Sequence, residues 1–297
     1  MNLPYHLLRP TAVLAAVTLA AGSLALSACE SEFTPFEETD AAFSLFGYFD
    51  AAADTQFVRV SALRRTAFDE APVDAVVTLT NVGTGAVVVL RDSLFRYLNG
   101  AVAHNFWTTA RVAPGTAYRL SAAGATGTAT AEFTTPAAFP DPSIEAGVSF
   151  NSSPSNPPLG QSMFFRGIEK FADLRVTYVL ADANVTVTVS YLDRVQATAD
   201  GGYVLGFNAY ADVQQALAGT SGQRSGVCPS LRTAHVFVAS ATPAWPDLLG
   251  LDPEVLLLPA TFSNVKGGLG YVGGVVTRRY RWEELAGAFA INKAGCQ

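Results

Sequence analysis

The sequence predicts a mainly β protein, and three observations carry that prediction. Short runs rich in Val, Thr, Phe and Tyr recur along the chain; Gly, Pro, Asn and Asp punctuate them; and the first half lacks apolar periodicity of helix length. The expected arrangement is an antiparallel β-sandwich followed by a second β-rich lobe with one or two short helices. Of the 297 residues, 49% are hydrophobic and 15% charged, enough apolar material for one large core or two modest ones. Such a composition excludes disorder for most of the chain.

Between residues 41 and 136 seven runs read as strands: 43–49, 57–63, 75–80, 86–90, 106–109, 118–121 and 128–133. The first is aromatic (Phe43, Phe46, Tyr48, Phe49), and 75–80 and 86–90 are β-branched. Gly83-Thr84-Gly85 reads as a hairpin turn. Pro114-Gly115 suits the two central positions of a type II turn, where glycine takes the positive φ. Seven strands at this spacing are the pattern of an immunoglobulin- or transthyretin-like sandwich.

From 137 to 160 the chain changes character, with Pro140, Pro142, Pro154, Pro157 and Pro158 among Ser and Asn. Proline removes amide donors, so a continuous central strand is not expected here. Residues 144–150 can add an edge strand, and 151–160 read as a connection between lobes; the alternative is a long loop over one continuous sheet. The C-terminal lobe, 161–297, opens with strands at 174–180 and 185–191, the latter alternating so that Val185, Val187, Val189 and Tyr191 share a face. Asp200-Gly201 reads as a hairpin turn into 203–207. Residues 212–217 before Gly219 fit a short helix, 234–239 a strand, 242–259 another helix, and 271–282 a final strand.

Gly268, Gly270 and Gly273 match the spacing of a dinucleotide-binding glycine pattern. That pattern has meaning only after a strand and at the start of a helix, whereas β-branched and aromatic residues follow here at 275–280. Asn264, Gly267, Gly268, Gly270 and Gly273 are therefore read as a glycine-rich structural turn or bulge feeding the last strand, and no cofactor is expected.

The amino-terminal segment gives the chain an address. An apolar stretch from Ala12 to Leu26, preceded by Arg9, ends in Leu26-Ser27-Ala28-Cys29. It is too short and too Ala-rich for a comfortable bilayer span. It resembles the signal and lipobox of bacterial lipoproteins, which implies cleavage before Cys29 and attachment of palmitate-type acyl chains to that cysteine. An uncleaved anchor or a plain secretory signal is the alternative. Residues 29–40 form an acidic segment with no basic residue, read as a solvated tether or as an export signal to the outer face of the outer membrane. Loss of residues 1–28 removes Arg9 and no acid, leaving 18 basic against 25 acidic residues, a charge of −7. Such a chain carries no electrostatic footprint for nucleic acid.

Several stretches together resemble a Bacteroidota lipoprotein family of unknown function: the lipobox, the early Ala75-Val-Val-Thr-Leu-Thr80 strand, Pro114-Gly115-Thr-Ala-Tyr118-Arg-Leu120, and the segment from Ser263 to Gly273. Members of that family are often encoded beside TonB-dependent receptors. The resemblance implies a lipid anchor in the outer membrane and an accessory role beside such a receptor. It implies no catalytic residue.

Enzyme chemistry finds little to work with. After signal removal only His104 and His235 remain, and no metalloprotease, nucleophile-elbow or Cys-x-x-Cys motif occurs. No metal site is expected. His104, Phe106 and Trp107 are read as a possible exposed binding loop, and His235 as a structural histidine in a strand. Cys228 and Cys296, exported to an oxidising space, are expected to form a disulfide. The function expected is a non-catalytic envelope lipoprotein that binds a partner or ligand near a TonB-dependent receptor; the alternatives are a structural or adhesive surface module and a secreted carboxylate-dependent hydrolase.

Overall fold

The computed structural model describes residues 41–63, 70–146, 160–180, 186–208, 212, 215, 231–247 and 262–282. The expected signal and lipobox (Leu26, Ser27, Ala28, Cys29), the expected acidic tether, Cys228 and Cys296 lie outside the described residues, as do 147–159 of the expected connection and most of 242–259. Asp40–Gln297 form one compact unit.

The described residues form a protein that is almost wholly β. Its strands are β1 (Phe43–Asp50), β2 (Gln56–Ala62), β3 (Val76–Asn81), β4 (Val87–Val89), β5 (Arg91–Arg96), β6 (Val102–Thr108), β7 (Ala117–Gly124), β8 (Gly127–Thr134) and β9 (Ser143–Ala146). They continue with β10 (Gly160–Phe165), β11 (Lys170–Leu180), β12 (Thr186–Ser190), β13 (Gln196–Ala197), β14 (Tyr203–Asn208), β15 (Leu231–Ala241), β16 (Val265–Lys266) and β17 (Gly268–Arg281). Asp212 and Gln215, within the expected helix, are helical.

One eight-stranded sheet, in the order β12-β11-β15-β17-β1-β2-β6-β5, runs through the whole unit. Its inner face is covered by two smaller sheets, β16-β8-β7-β3-β4 and β13-β14-β10-β9. The period-2 alternation of strands explains the layering. Phe43, Leu45 and Phe49 of β1, Val58 and Val60 of β2 and Phe106 of β6 pack against Val77, Leu79, Leu120, Ala131 and Phe133 of the five-stranded sheet. Leu174, Val176 and Tyr178 of β11, Val236 and Val238 of β15 and Tyr280 of β17 pack against Met163, Phe165 and Leu205 of the four-stranded sheet. β17 serves both cores, with Val272 in the first and Val276 and Tyr280 in the second.

Among the described residues all strand pairs are antiparallel except β1 with β17, which run parallel from Phe43 opposite Gly268 to Asp50 opposite Val275. This pairing joins the first strand of the expected N-terminal sandwich to the last strand of the expected C-terminal lobe. The reason β17 can lie so close is glycine: a Cβ on Gly268 would sit 2.4 Å from the Phe43 carbonyl oxygen, and one on Gly270 2.2 Å from that of Leu45. Asp50 locks the end of the pair, its Oδ1 accepting from the Thr277 amide at 3.0 Å while Thr277 Oγ1 donates to Oδ2.

The turns follow the local chemistry. Asn81 accepts from the amides of Gly83 and Thr84 at 3.0 Å, and Gly85 takes φ 73° to close the β3–β4 hairpin. Gly115 takes φ 64° in the Pro114-Gly115 turn, and Gly201 takes φ 81° in the turn between β13 and β14. β5 is the strand of the first half that sequence reading missed: among the described residues Arg91-Asp-Ser-Leu-Phe-Arg96 pairs on one side only, with β6, so a polar, mostly exposed composition suits it.

Candidate functional site

Among the described residues, the outer face of the eight-stranded sheet carries exposed Phe46, Tyr48, Phe57 and Phe95. Register places Gly273, Tyr48, Phe57, Trp107 and Arg91 in one row across β17, β1, β2, β6 and β5, and Tyr271, Phe46, Arg59, Asn105 and Ser93 in the next. Phe46, Tyr48, Phe57 and Phe95 are 51%, 54%, 53% and 51% exposed, far more than cross-strand packing of a buried face would leave. Arg91 lies over the Trp107 ring with Cζ 5.5 Å from its centroid; Arg59 lies over Tyr97 at 5.8 Å and donates to its hydroxyl. Tyr97 meets Phe95 edge to face at 5.1 Å.

Trp245 completes the aromatic row from outside the sheet. Its indole occupies the space above Gly273, where a Cβ would come within 2.7 Å of the ring. It meets Tyr271 edge to face at 5.7 Å and Tyr48 at 6.4 Å. Burial holds the Tyr271 phenol above its ordinary pKa. Trp245 also lines a cleft of about 300 Å³ together with Phe171, Leu192, Val195, Tyr203 and the ion pair of Lys170 with Asp247, 2.7 Å apart. Such a volume is at the small end of ligand pockets, and the cleft is apolar with one polar pair at its side.

Away from the cleft, His104 and Asp212 are two of the polar side chains buried among the described residues. His104 donates from Nδ1 to Asp92 Oδ2 at 2.8 Å, while its buried Nε2 has no hydrogen-bond partner among the described residues. Asp212 is 4% exposed and accepts from Tyr178 at 2.9 Å, from Tyr191, and from Arg194 at 2.8 Å. Burial raises its pKa, opposed by the Tyr178 hydrogen bond, and burial beside this carboxylate raises that of Tyr178 as well. Among the described residues no three His, Cys, Asp or Glu side chains cluster as metal ligands would.

No family model matches the chain, and no curated protein matches it. Solved structures similar to it include the pullulanase of Anoxybacillus sp. LM18-11 complexed with maltotriose, at TM-score 0.24 and 9% identity over 67% of this chain. Another is the titin segment A168169, at TM-score 0.20 and 11% identity over 78% of this chain. The chain spans 24% of the pullulanase and 97% of the titin segment. At these TM-scores neither likeness bears on function.

The expected binding loop at His104, Phe106 and Trp107 is instead part of β6. His104 and Phe106 point inward, 5% and 3% exposed, and Trp107 alone joins the outer face. Val102-Ala-His-Asn continues the strand from Phe106 back to the turn at Gly100, and alternation along the whole of it sets which side chains face inward. The glycine segment also resolves differently from a single turn. Gly267, at φ 68°, makes the turn after Asn264, whereas Gly268, Gly270 and Gly273 lie within β17, where their missing side chains admit the backbone of β1 and the ring of Trp245. Asn264 holds that turn through two hydrogen bonds to the Val272 backbone, at 2.7 and 3.0 Å. His235 lies on β15, half-buried on the outer face. Sequence reading missed the role of Tyr48, Phe57 and Trp245. Alternation in 43–49 and 57–63 could have placed Tyr48 and Phe57 on the face opposite Phe49 and Val58, but nothing local brings Trp245 to them.

Proposed function

We propose that the protein is a non-catalytic envelope lipoprotein, anchored in the outer membrane through Cys29, that binds a partner or ligand beside a TonB-dependent receptor. The contacting surface is the outer face of the eight-stranded sheet. One observation carries this reading: exposed Tyr48 and Phe57 and half-buried Trp107 stand in register on the outer face of three adjacent strands, flanked by Arg59 and Arg91. Tyr, Trp, Phe and Arg are the residues that dominate the energetics of recognition surfaces. The lipobox and the acidic tether support the address, since two or more acyl chains hold a protein on a bilayer where one is marginal.

A structural or adhesive module would present the same face. A carboxylate-dependent hydrolase would need a second acid in the cleft beside Asp247, which is ion-paired to Lys170. The test is photo-crosslinking in intact cells from a benzoylphenylalanine placed at Phe57. Capture of a receptor barrel or another envelope component is expected. Crosslinks no different from those of a probe at Val89, on the other sheet, would overturn the reading, as would mass spectrometry showing an unmodified Cys29.

A further inference from the structure

From the outer face and the cleft we infer that the ligand is an acidic polysaccharide, laid across the Trp245–Tyr48–Phe57–Trp107 row with one end reaching the cleft. The inference rests on the binding role proposed above and names its ligand class.

The geometry is that of a platform. Tyr48, Phe57 and Trp107 are consecutive register partners, and adjacent strands lie about 4.8 Å apart, so three rings are spaced regularly across the sheet. Trp245 extends the row by one position above Gly273 and also forms a wall of the cleft, so row and cleft are continuous. The faces of aromatic rings carry partial negative charge and attract the weakly positive C–H bonds of a pyranose ring, while the rings themselves are rigid and lose little entropy on binding. Beside the rings, Arg59, Asn105 and Ser93 form the next row, supplying planar and hydroxyl donors at the height where sugar hydroxyls would lie.

Charge selects the acidic class. On a chain of formal charge −6, the outward positions of this sheet carry Arg59, Arg91, Arg175, Arg279 and Arg281 against two acids, Asp50 and Asp173. Both acids are engaged, Asp50 by Thr277 and Asp173 by Arg175 at 3.2 Å. Arg175 and Arg279 flank Phe237 in a second register row, with Arg175 4.5 Å above its ring. Guanidinium groups bind carboxylate or sulfate in bidentate fashion. A cationic, aromatic face on an acidic protein fits a repeating anion with apolar ring faces. A nucleic acid strand shares that chemistry, and an exported protein would not meet it.

Affinity electrophoresis of the full chain in detergent decides the matter, with polygalacturonate, alginate or chondroitin sulfate in the gel, neutral dextran as reference, and oligothymidine as competitor. At least one acidic polysaccharide is expected to retard the protein, with dextran leaving it unretarded. Phe57→Ala and Tyr48→Ala, at exposed positions, should each weaken retardation about tenfold, and Arg91→Gln about threefold with a shallower salt dependence. Val89→Ala on the other sheet should change nothing. The inference is overturned if none of the three acidic polysaccharides retards the native chain, if dextran retards it equally, if oligothymidine is preferred, or if the variants bind as the native chain does. Because the crosslinking test reads partners in cells and this one reads glycans in a gel, failure here leaves the proposed envelope role standing.

Discussion

Gly273 lies directly beneath the indole of Trp245, and the ring's Cζ3 is only 2.7 Å from where the first carbon of any side chain at 273 would have to be. The same Cβ would meet the Tyr271 ring at 2.9 Å, so neither aromatic can yield toward the other. A strand residue with no side chain thus seats a tryptophan that begins outside the sheet, and that tryptophan joins the cleft to the aromatic row.

Gly273→Ala should therefore displace Trp245. Overpacking of this kind destabilises by about 1–3 kcal/mol. The tryptophan emission maximum should move to the red as the indole gains solvent, and the melting temperature should fall. Unchanged emission and stability would show that the ring has room to move aside.

Phe57 and Phe106 separate the two faces of one sheet. Phe106 is 3% exposed and packed in the first core, so Phe106→Ala should lower unfolding free energy by about 3–5 kcal/mol. Phe57 is 53% exposed, and Phe57→Ala should change it by less than about 1 kcal/mol. Urea titrations of both variants check the pair; similar losses would mean that the outer face is covered.

Residues 41–136 expressed alone should not reach a cooperative folded state. The fragment lacks β17, the parallel partner of β1, and β16, the partner of β8, leaving the Phe43–Asp50 edge unpaired beside a partly exposed core. Gly270→Ala in the full chain should have a similar origin and a large effect, because its Cβ would press on the Leu45 carbonyl at φ +113°. Circular dichroism and urea titration of each would show it. A fragment that unfolds cooperatively with native-like stability would mean that β1 does not need β17.

Asp212 should give the protein a pH-dependent stability of unusual sign for a carboxylate. Burial raises its pKa, so the folded state favours the proton more than the unfolded chain does. The contribution is full below the unfolded pKa of about 3.9 and is lost as pH rises through the folded value. Asp212→Asn removes that dependence. Between about pH 4 and pH 7, the urea midpoint of the native chain should fall relative to that of the Asn variant. Parallel curves for the two proteins would contradict it.

Most strands were legible because their signals are local. Alternation at Val185, Val187 and Val189, the aromatic run at Phe43, and glycines at 85, 115 and 201 are set by residues within a few positions of one another, and β12, β1 and the three turns lie where they point. β5 was not legible, since an edge strand with exposed Arg91, Asp92 and Arg96 has the composition of a loop. The candidate site was legible only in fragments. Trp107 was singled out with two neighbours that proved to face the core, because a strand's two faces are told apart only when its starting residue is known.

What the chain determined by its sequence alone is a mainly β protein, punctuated at its glycines and prolines. These follow from backbone preference, side-chain period and hydropathy, all properties of neighbouring residues. The tertiary structure decided that β1 lies beside β17 across some 220 residues of chain, that one sheet serves two cores, and that Trp245 stands over Gly273 next to Tyr48. Those outcomes depend on which distant backbones can approach closely enough to pair, and the glycines of β17 permit that approach without naming the partner.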